Sequence, residues 1–422
     1  MKNLRASDAI FPIALLAFEA VGVRYWQVIF NDTTRWLFLA ILFLAILLRG
    51  EFLAAFRGTS GAVLGAYLAW CLCTTMWSEV PQLSLMKSVA LALSVPTLFA
   101  AGNAWTLESS RAVSLSFLLP IVGLSLFAGL FDPGASTEMG SITIYQGLSG
   151  NPNYLGSIVA MSFPYAIWQA YRLEAGSAKR LLWWCIVLAL AVMLYRSGSR
   201  ASMLAVLAML GAFIVALSPA RRIMAVSLIG VFALATVVAL PALHSSLYER
   251  FILKGNTSEY GSVFFTRQDV WSESYAKAKE GGLIGGGYGV SIGDTTEFQG
   301  GLTAVGYGRE KGNTQLAIWE ETGIVGLVLY ALFVVTMWLD LGFGFFKIGD
   351  GQLKVEEGLL LGATLGFTIH SVFEAWWGAP GSPEFAYFWA VCGAARGLMR
   401  RAALPGSYPA PSELRPIAAK AV

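Results

Sequence analysis

LHSSLYERFILKGNTSEYGSVFFTRQDVWSESYAKAKEGGLIGGGYGVSIGDTTEFQGGLTAVGYGREKGN (243–313) is the long polar stretch of this chain, and apolar sequence flanks it on both sides. It holds Arg250, Lys254, Arg267, Asp269, Lys277, Lys279, Asp294, Glu297, Arg309, Glu310 and Lys311. Charge at this density between two apolar runs reads as an aqueous loop hung between membrane spans, and it is where chemistry can sit. A smaller polar insertion, 131–153, is expected on the same side.

The rest of the chain supports that frame. Its 422 residues are 56% hydrophobic and 13% charged, where soluble domains carry roughly 25% charged residues. A water-soluble fold of this balance would expose large apolar patches, so the fold class is an all-α integral membrane protein. At about 20 apolar residues per span, twelve transmembrane helices are predicted: 8–24, 33–49, 60–77, 82–101, 111–130, 153–171, 180–196, 200–218, 222–243, 320–346, 355–376 and 383–399. Pro96 and Pro164 fall inside spans, where neighbouring helices can satisfy the freed carbonyl. The membrane domain is expected over 1–402. The Pro- and Ala-rich tail, 403–422, is expected to be disordered and cytoplasmic.

Loop charges set the orientation. Seventeen Lys and Arg residues fall in one set of short loops and termini, against four in the other: Arg24, Arg35, Arg196 and Arg200. This puts both termini in the cytoplasm and both polar insertions outside. MKNLR precedes an apolar run without an A-x-A-type cleavage site, so a retained first span is expected. A net charge of +3 argues against a nucleic-acid partner. Cys71, Cys73, Cys185 and Cys392 all lie in apolar segments without metal spacing, and with only His244 and His370 present a multi-histidine metal site is excluded. No internal repeat or matched pair of broken helices of the transporter kind is evident.

Several residues carry chemical promise. Arg196 and Arg200 sit in YRSGSRAS, a tight turn at the outer surface bent by Gly198. They run against the positive-inside trend, and Arg200 is the stronger candidate for phosphate binding. Arg267 sits in FFTRQDVW; Phe264, Phe265, Trp271 and Tyr275 recur near helical spacing, which predicts an amphipathic helix over 262–279 that Gly281 and Gly282 end. The glycines of 285–289 lack a preceding strand and a following Lys-Ser/Thr, so they read as a turn rather than a nucleotide loop. In GNPNYLG (150–156), Asn151 or Asn153 caps a helix with Pro152 in its first turn. NTQLAIWEETGIVG (313–326) opens the tenth span, with Glu320 and Glu321 at the water–lipid boundary. His370 and Glu374, four apart, are expected to share one helix face.

The order GNPNYLG, YRSGSRAS, a long outer loop with TRQDVW and GLIGGGYG, then NTQLAIWEETGIVGL, resembles the O-antigen ligase and polymerase superfamily. FEAWWGAPGSPEFAYFW is similar to its C-terminal segment. The resemblance covers about residues 145–395. It implies a multi-span enzyme of the bacterial inner membrane that moves a glycan from a polyprenyl-diphosphate carrier to an acceptor on the periplasmic side, without cofactor, metal or nucleotide. The partners it implies are a lipid-linked glycan donor, a glycan or lipid A-core-like acceptor and membrane lipids. It also implies that Arg200 and Arg267 bind the diphosphate, with Arg196 beside them. The chain departs from the family at Gly312, where the ligases usually carry a His directly before the residue matched here by Asn313. That His is thought to activate the acceptor hydroxyl. Its role then falls to Glu320, Glu321, Asp269 or His370, with Glu374 and Asn313 as possible support; an acidic replacement at Glu320 or Glu321 is favoured, since one of them lies two turns below Asn313 on its face. The alternatives are a repeat-unit polymerase of the same superfamily, a non-catalytic transporter or flippase of lipid-linked glycan, and an inactive relative with a structural role.

Overall fold

The computed structural model describes residues 13–15, 17, 23, 31–103, 118–139, 142–239, 265–293, 310–349 and 351–402. The predicted span 8–24 is thus barely sampled, and 111–117 at the start of the predicted span 111–130, the loop portions 240–264 and 294–309 and the tail 403–422 lie outside the described residues. The helices are α1 (Asp32–Leu48), α2 (Gly58–Cys73), α3 (Pro81–Asn103), α4 (Leu119–Phe131), α5 (Pro152–Arg172), α6 (Ala178–Ser197), α7 (Arg200–Ala216), α8 (Pro219–Ala239), α9 (Phe265–Gly281), α10 (Thr314–Lys347), α11 (Gln352–His370) and α12 (Pro383–Ala402).

By length and composition, four described stretches suffice to cross a membrane: Gly58–Met76, α3, α6 and α10. Three more, Thr33–Leu48, α4 and Arg200–Ala216, are apolar but shorter. On α10, Val328, Leu332, Val335, Leu339, Phe343 and Phe346 are exposed while Tyr330, Phe333, Met337, Leu341 and Phe345 are buried. A helix apolar on both its inner and outer face belongs in lipid. The most enclosed helices are the less apolar ones: every residue of α5 from Leu155 to Ala170 is buried, and α11 buries Glu356, Glu357 and His370. The chain is a helical membrane protein.

Small residues let the inner helices touch. Gly358, Gly362 and Gly366 recur every fourth position on α11, where any side chain would run into Ala216, Met209 and Ala205 of α7. Gly393 and Gly397 of α12 meet the backbone of Phe99 and Asn103 on α3 in the same way. This is the small-residue packing that brings membrane helices close without a hydrophobic drive between them.

The 131–153 insertion differs from the all-helical expectation. It carries an antiparallel hairpin, β1 (Ser136–Met139) and β2 (Ile142–Tyr145), in the register Ser136 to Tyr145 and Met139 to Ile142. Alternating β-branched residues in ITIY favour it, and Ile144 and Tyr145 are buried while Thr143 is exposed. Arg196 lies 5.3 Å over the Tyr145 ring, so the hairpin covers the α6–α7 turn.

Candidate active site

Three polar segments meet at one end of this bundle: the start of α10, the turn after α11, and α9 with the glycine loop that follows it. Asn313 caps α10 by accepting from Leu316 N at 2.8 Å, and its amide donates to Val372 O at 2.8 Å. Thr314 adds two bonds to the same turn, from its N to Ser371 O (3.0 Å) and from its hydroxyl to Glu374 O (3.0 Å).

Nine residues on, α10 breaks at Gly323, which has φ 70° and ψ −175°. The sequence reading starts the span at 320 and misses this break. The freed groups are met by distant partners: Ile324 N donates to Gly282 O (3.0 Å), Val325 N to Leu283 O (3.2 Å), and the Trp70 indole to Thr322 O (2.8 Å). In return Gly286 N and Gly287 N donate to the carbonyls of Glu320 and Glu321, both at 3.0 Å. The glycine loop is a turn, as the sequence implies, and its fit explains the composition. A Cβ at Gly281 or Gly285 would collide with the Glu320–Glu321 backbone.

The adjacent acids Glu320 and Glu321 anchor this loop. Glu321 Oε1 is 2.6 Å from Lys311 Nζ, and its Oε2 accepts from Gly289 N at 2.8 Å. Glu320 is fully buried; its Oε1 accepts from Ile292 N at 2.9 Å and its Oε2 lies 3.6 Å from Lys311. Lys311 also donates to Val290 O at 2.9 Å. Lys311 is a residue whose part the sequence reading did not find.

Helix α9 turns Arg267, Val270, Trp271, Ser274 and Ala278 inward, while Asp269 is exposed on the opposite face. The Trp271 indole donates to Gly312 O (2.9 Å) and the Ser274 hydroxyl to Lys311 O (2.7 Å). Arg267 pairs with Glu310 through Nη1 at 3.0 Å and with Glu374 through Nη2. Glu374 Oε1 also accepts from the Asn153 amide at 3.1 Å. Burial pushes the Glu374 carboxyl up to about 7; Arg267 opposes the shift, and the negative charges of Glu384 and Glu310 add to it.

His370 and Glu374 do not share a helical face, because α11 ends at His370 and Glu374 follows in the turn. His370 Nδ1 accepts from the Trp376 indole at 3.0 Å, which places its proton on Nε2, 3.3 Å from Ser157 Oγ and 3.4 Å from Ser202 Oγ. It is a buried, hydrogen-bonded neutral side chain. Arg200, half-buried at the start of α7, is within electrostatic reach of Arg267. Arg196 is exposed and turned to the hairpin. A cavity of about 550 Å³ opens here, with Asn153, Glu310, Glu321, His370, Glu374, Trp376 and Glu384 in its wall. Such a volume suits a small-molecule or sugar-sized group.

Residues 185–331 match the O-antigen ligase family. Through this segment, about a third of its length, the chain is similar to the O-antigen ligase and polymerase superfamily. No curated protein matches it. The matched segment runs from α6 through the α6–α7 turn, the long loop and α9 to the first half of α10, so it contains Arg196, Arg200, Arg267, Asn313, Glu320 and Glu321. His370, Glu374 and Glu384 lie beyond it. This match supports an O-antigen ligase- or polymerase-like activity, with a lipid-linked glycan and a glycan acceptor as partners in general terms.

Proposed function

We propose that the protein transfers a glycan from a polyprenyl-diphosphate carrier to an acceptor hydroxyl at the periplasmic face of the bacterial inner membrane, in the manner of an O-antigen ligase. The observation that carries this reading is the pairing of Arg267 with Glu374, whose carboxylate side chain lines the cavity. It sets a guanidinium that suits phosphate against a carboxylate suited to accept a proton near neutral pH. Arg267, with Arg200 in reach, binds the diphosphate. Glu374 takes the proton of the acceptor hydroxyl, whose oxygen forms the new bond to the anomeric carbon from the opposite face. The bond from that carbon to phosphate breaks, and its electron pair stays on the leaving diphosphate, where the arginines stabilise the charge. Glu374 is preferred to Glu320 and Glu321 because the carboxylates of those two already anchor Lys311 and the backbone of the glycine loop.

The test is transfer by the purified protein in liposomes from a polyprenyl-diphosphate oligosaccharide, read by mass spectrometry. The expected result is intact glycan on the acceptor and free polyprenyl diphosphate. Donor that crosses the bilayer unchanged would make the protein a flippase instead. A reporter fused after Gly300 should be active only outside and one at Gly349 only inside; the reverse would put the site on the wrong face for this donor.

A further inference from the structure

The cavity beside Arg267 has a charge pattern that transfer from a diphosphate does not by itself require. Among the described residues its wall carries two cations, Lys87 and Lys311, and four carboxylates, Glu310, Glu321, Glu374 and Glu384. Lys311 is committed to Glu321 and Glu320, and Lys87 donates to Gly289 O at 2.8 Å with Glu321 in electrostatic range. Arg267 is shared by Glu374 and Glu310. Glu384 forms no ion pair with any described Lys or Arg; Ser157 and Ser382 stand beside its carboxylate, and its charge is felt at Glu374.

Helix N-termini often supply donors for anions, and α5, α10 and α12 all begin at or beside this cavity. Four of their first-turn amides already have a side-chain partner. Asn151 Oδ1 accepts from Asn153 N (2.8 Å) and Tyr154 N (3.3 Å), Asn313 Oδ1 from Leu316 N (2.8 Å), and Ser382 Oγ from Phe385 N (3.2 Å). What the cavity offers instead is a set of groups that hydroxyls can meet: the Glu374 and Glu384 carboxylates, the Asn153 amide that also donates to Glu374, and the Ser157 hydroxyl that also donates to Asn153 O, beside the Trp376 and Tyr154 rings.

We infer that this cavity is the subsite for the acceptor sugar, and that it takes an uncharged, hydroxyl-rich sugar and rejects one bearing a carboxylate or phosphate. The inference rests on the transfer reading above for the word acceptor. With the donor diphosphate on Arg267 and Arg200, an acidic sugar would meet Glu374 and Glu384 with no described cation left to offset it. Rejection by unpaired like charge is a common source of specificity.

The test is saturation-transfer NMR on the full-length protein in nanodiscs, with a neutral trisaccharide and with the same trisaccharide ending in a hexuronic acid. The neutral sugar is expected to bind roughly tenfold tighter or more at low salt. The gap should narrow in about 1 M salt, where charges are screened beyond about 3 Å, and in Glu384→Gln. The salt series needs no variant, so it stands even if Glu384→Gln fails to fold. Equal affinity, binding of neither sugar, or a gap that survives high salt overturns the inference. A preserved preference without any transfer from the lipid-linked donor would instead count against the transfer reading and leave the sugar class intact.

Discussion

Lys311 Nζ lies 2.6 Å from Glu321 Oε1 and 3.6 Å from Glu320 Oε2, so one buried ammonium serves two adjacent carboxylates. Removing one partner of a buried pair typically costs about 3–5 kcal/mol, because the other charge is left uncompensated. Lys311→Met should therefore lower the thermal midpoint in detergent sharply, and Glu321→Gln should follow it. Glu320→Gln, at the longer distance, should do less. If either Gln variant abolished transfer with an unchanged midpoint, the base would lie there and not at Glu374.

Arg267→Ala should lower the transfer rate by about 10²–10³-fold, the usual cost of one preorganised charge contact in the transition state. Arg200→Ala should act similarly. Arg→Lys should restore activity only in part, since the bidentate fork is lost. Arg196→Ala should have little effect, because that side chain is exposed and stacked on Tyr145. Wild-type rates in purified Arg267→Ala would remove Arg267 from the site.

With the Glu374 carboxyl held up to about 7, the transfer rate should rise with pH and reach half its plateau near that value. Glu374→Gln should be slow and lose this limb; a limb that persists belongs to another group. The stability effect has the opposite slope. The folded pKa lies above the unfolded value, so the folded state binds more protons between about 4.5 and 7. This contribution to stability is fully present below that window and is lost as pH rises through it.

Gly312 has φ +60°, and a Cβ there would lie 2.7 Å from Val270 Cγ1 and 3.6 Å from Arg267 Nη1. The position the family usually gives to His thus faces the same arginine, in a backbone conformation that costs a side-chain residue about 1–2 kcal/mol. Gly312→His should lower the thermal midpoint without raising the rate. A gain of roughly tenfold would mean that the protein is a relative that lost its base.

Local signals were legible. Asn151, one of two capping candidates, caps α5, Gly198 turns left-handed at the end of α6 with φ +62°, and α9 ends at Gly281 as its glycines imply. The membrane class followed from composition and the family from motif order. The contacts that build the site were not legible, because they join remote residues. Asn153 meets Glu374 across 221 positions and Trp70 meets Thr322 across 252. Neither has a periodicity that a single chain displays. The face of α9 was misjudged for a related reason. Aromatic spacing pointed to Tyr275, which is 46% exposed, whereas the inward face is set by what Arg267, Trp271 and Ser274 find on the far side of the loop. The break at Gly323 left one hint, a lone glycine after two acids, but a glycine inside an apolar run fits an unbroken span equally well.

That break has a bearing on biogenesis. The nine-residue piece of α10 before Gly323 is too short to hold as an isolated helix. Its partners are Trp70 and residues within 282–292, made before it, and Ser371, Val372 and Glu374, made after it. Tyr288 in the glycine loop likewise waits for Gly378, to whose carbonyl its hydroxyl donates at 3.1 Å. The glycine loop thus finds Thr74, Trp77, Glu79 and Lys87 already made when it leaves the ribosome, meets α10 next, and waits for 371–378 to complete the site. A chain cut short after α10 would keep most of the loop's partners but leave the Asn313 amide, both Thr314 donors and the Tyr288 hydroxyl without Val372, Ser371, Glu374 and Gly378, so its site would stand open on that side.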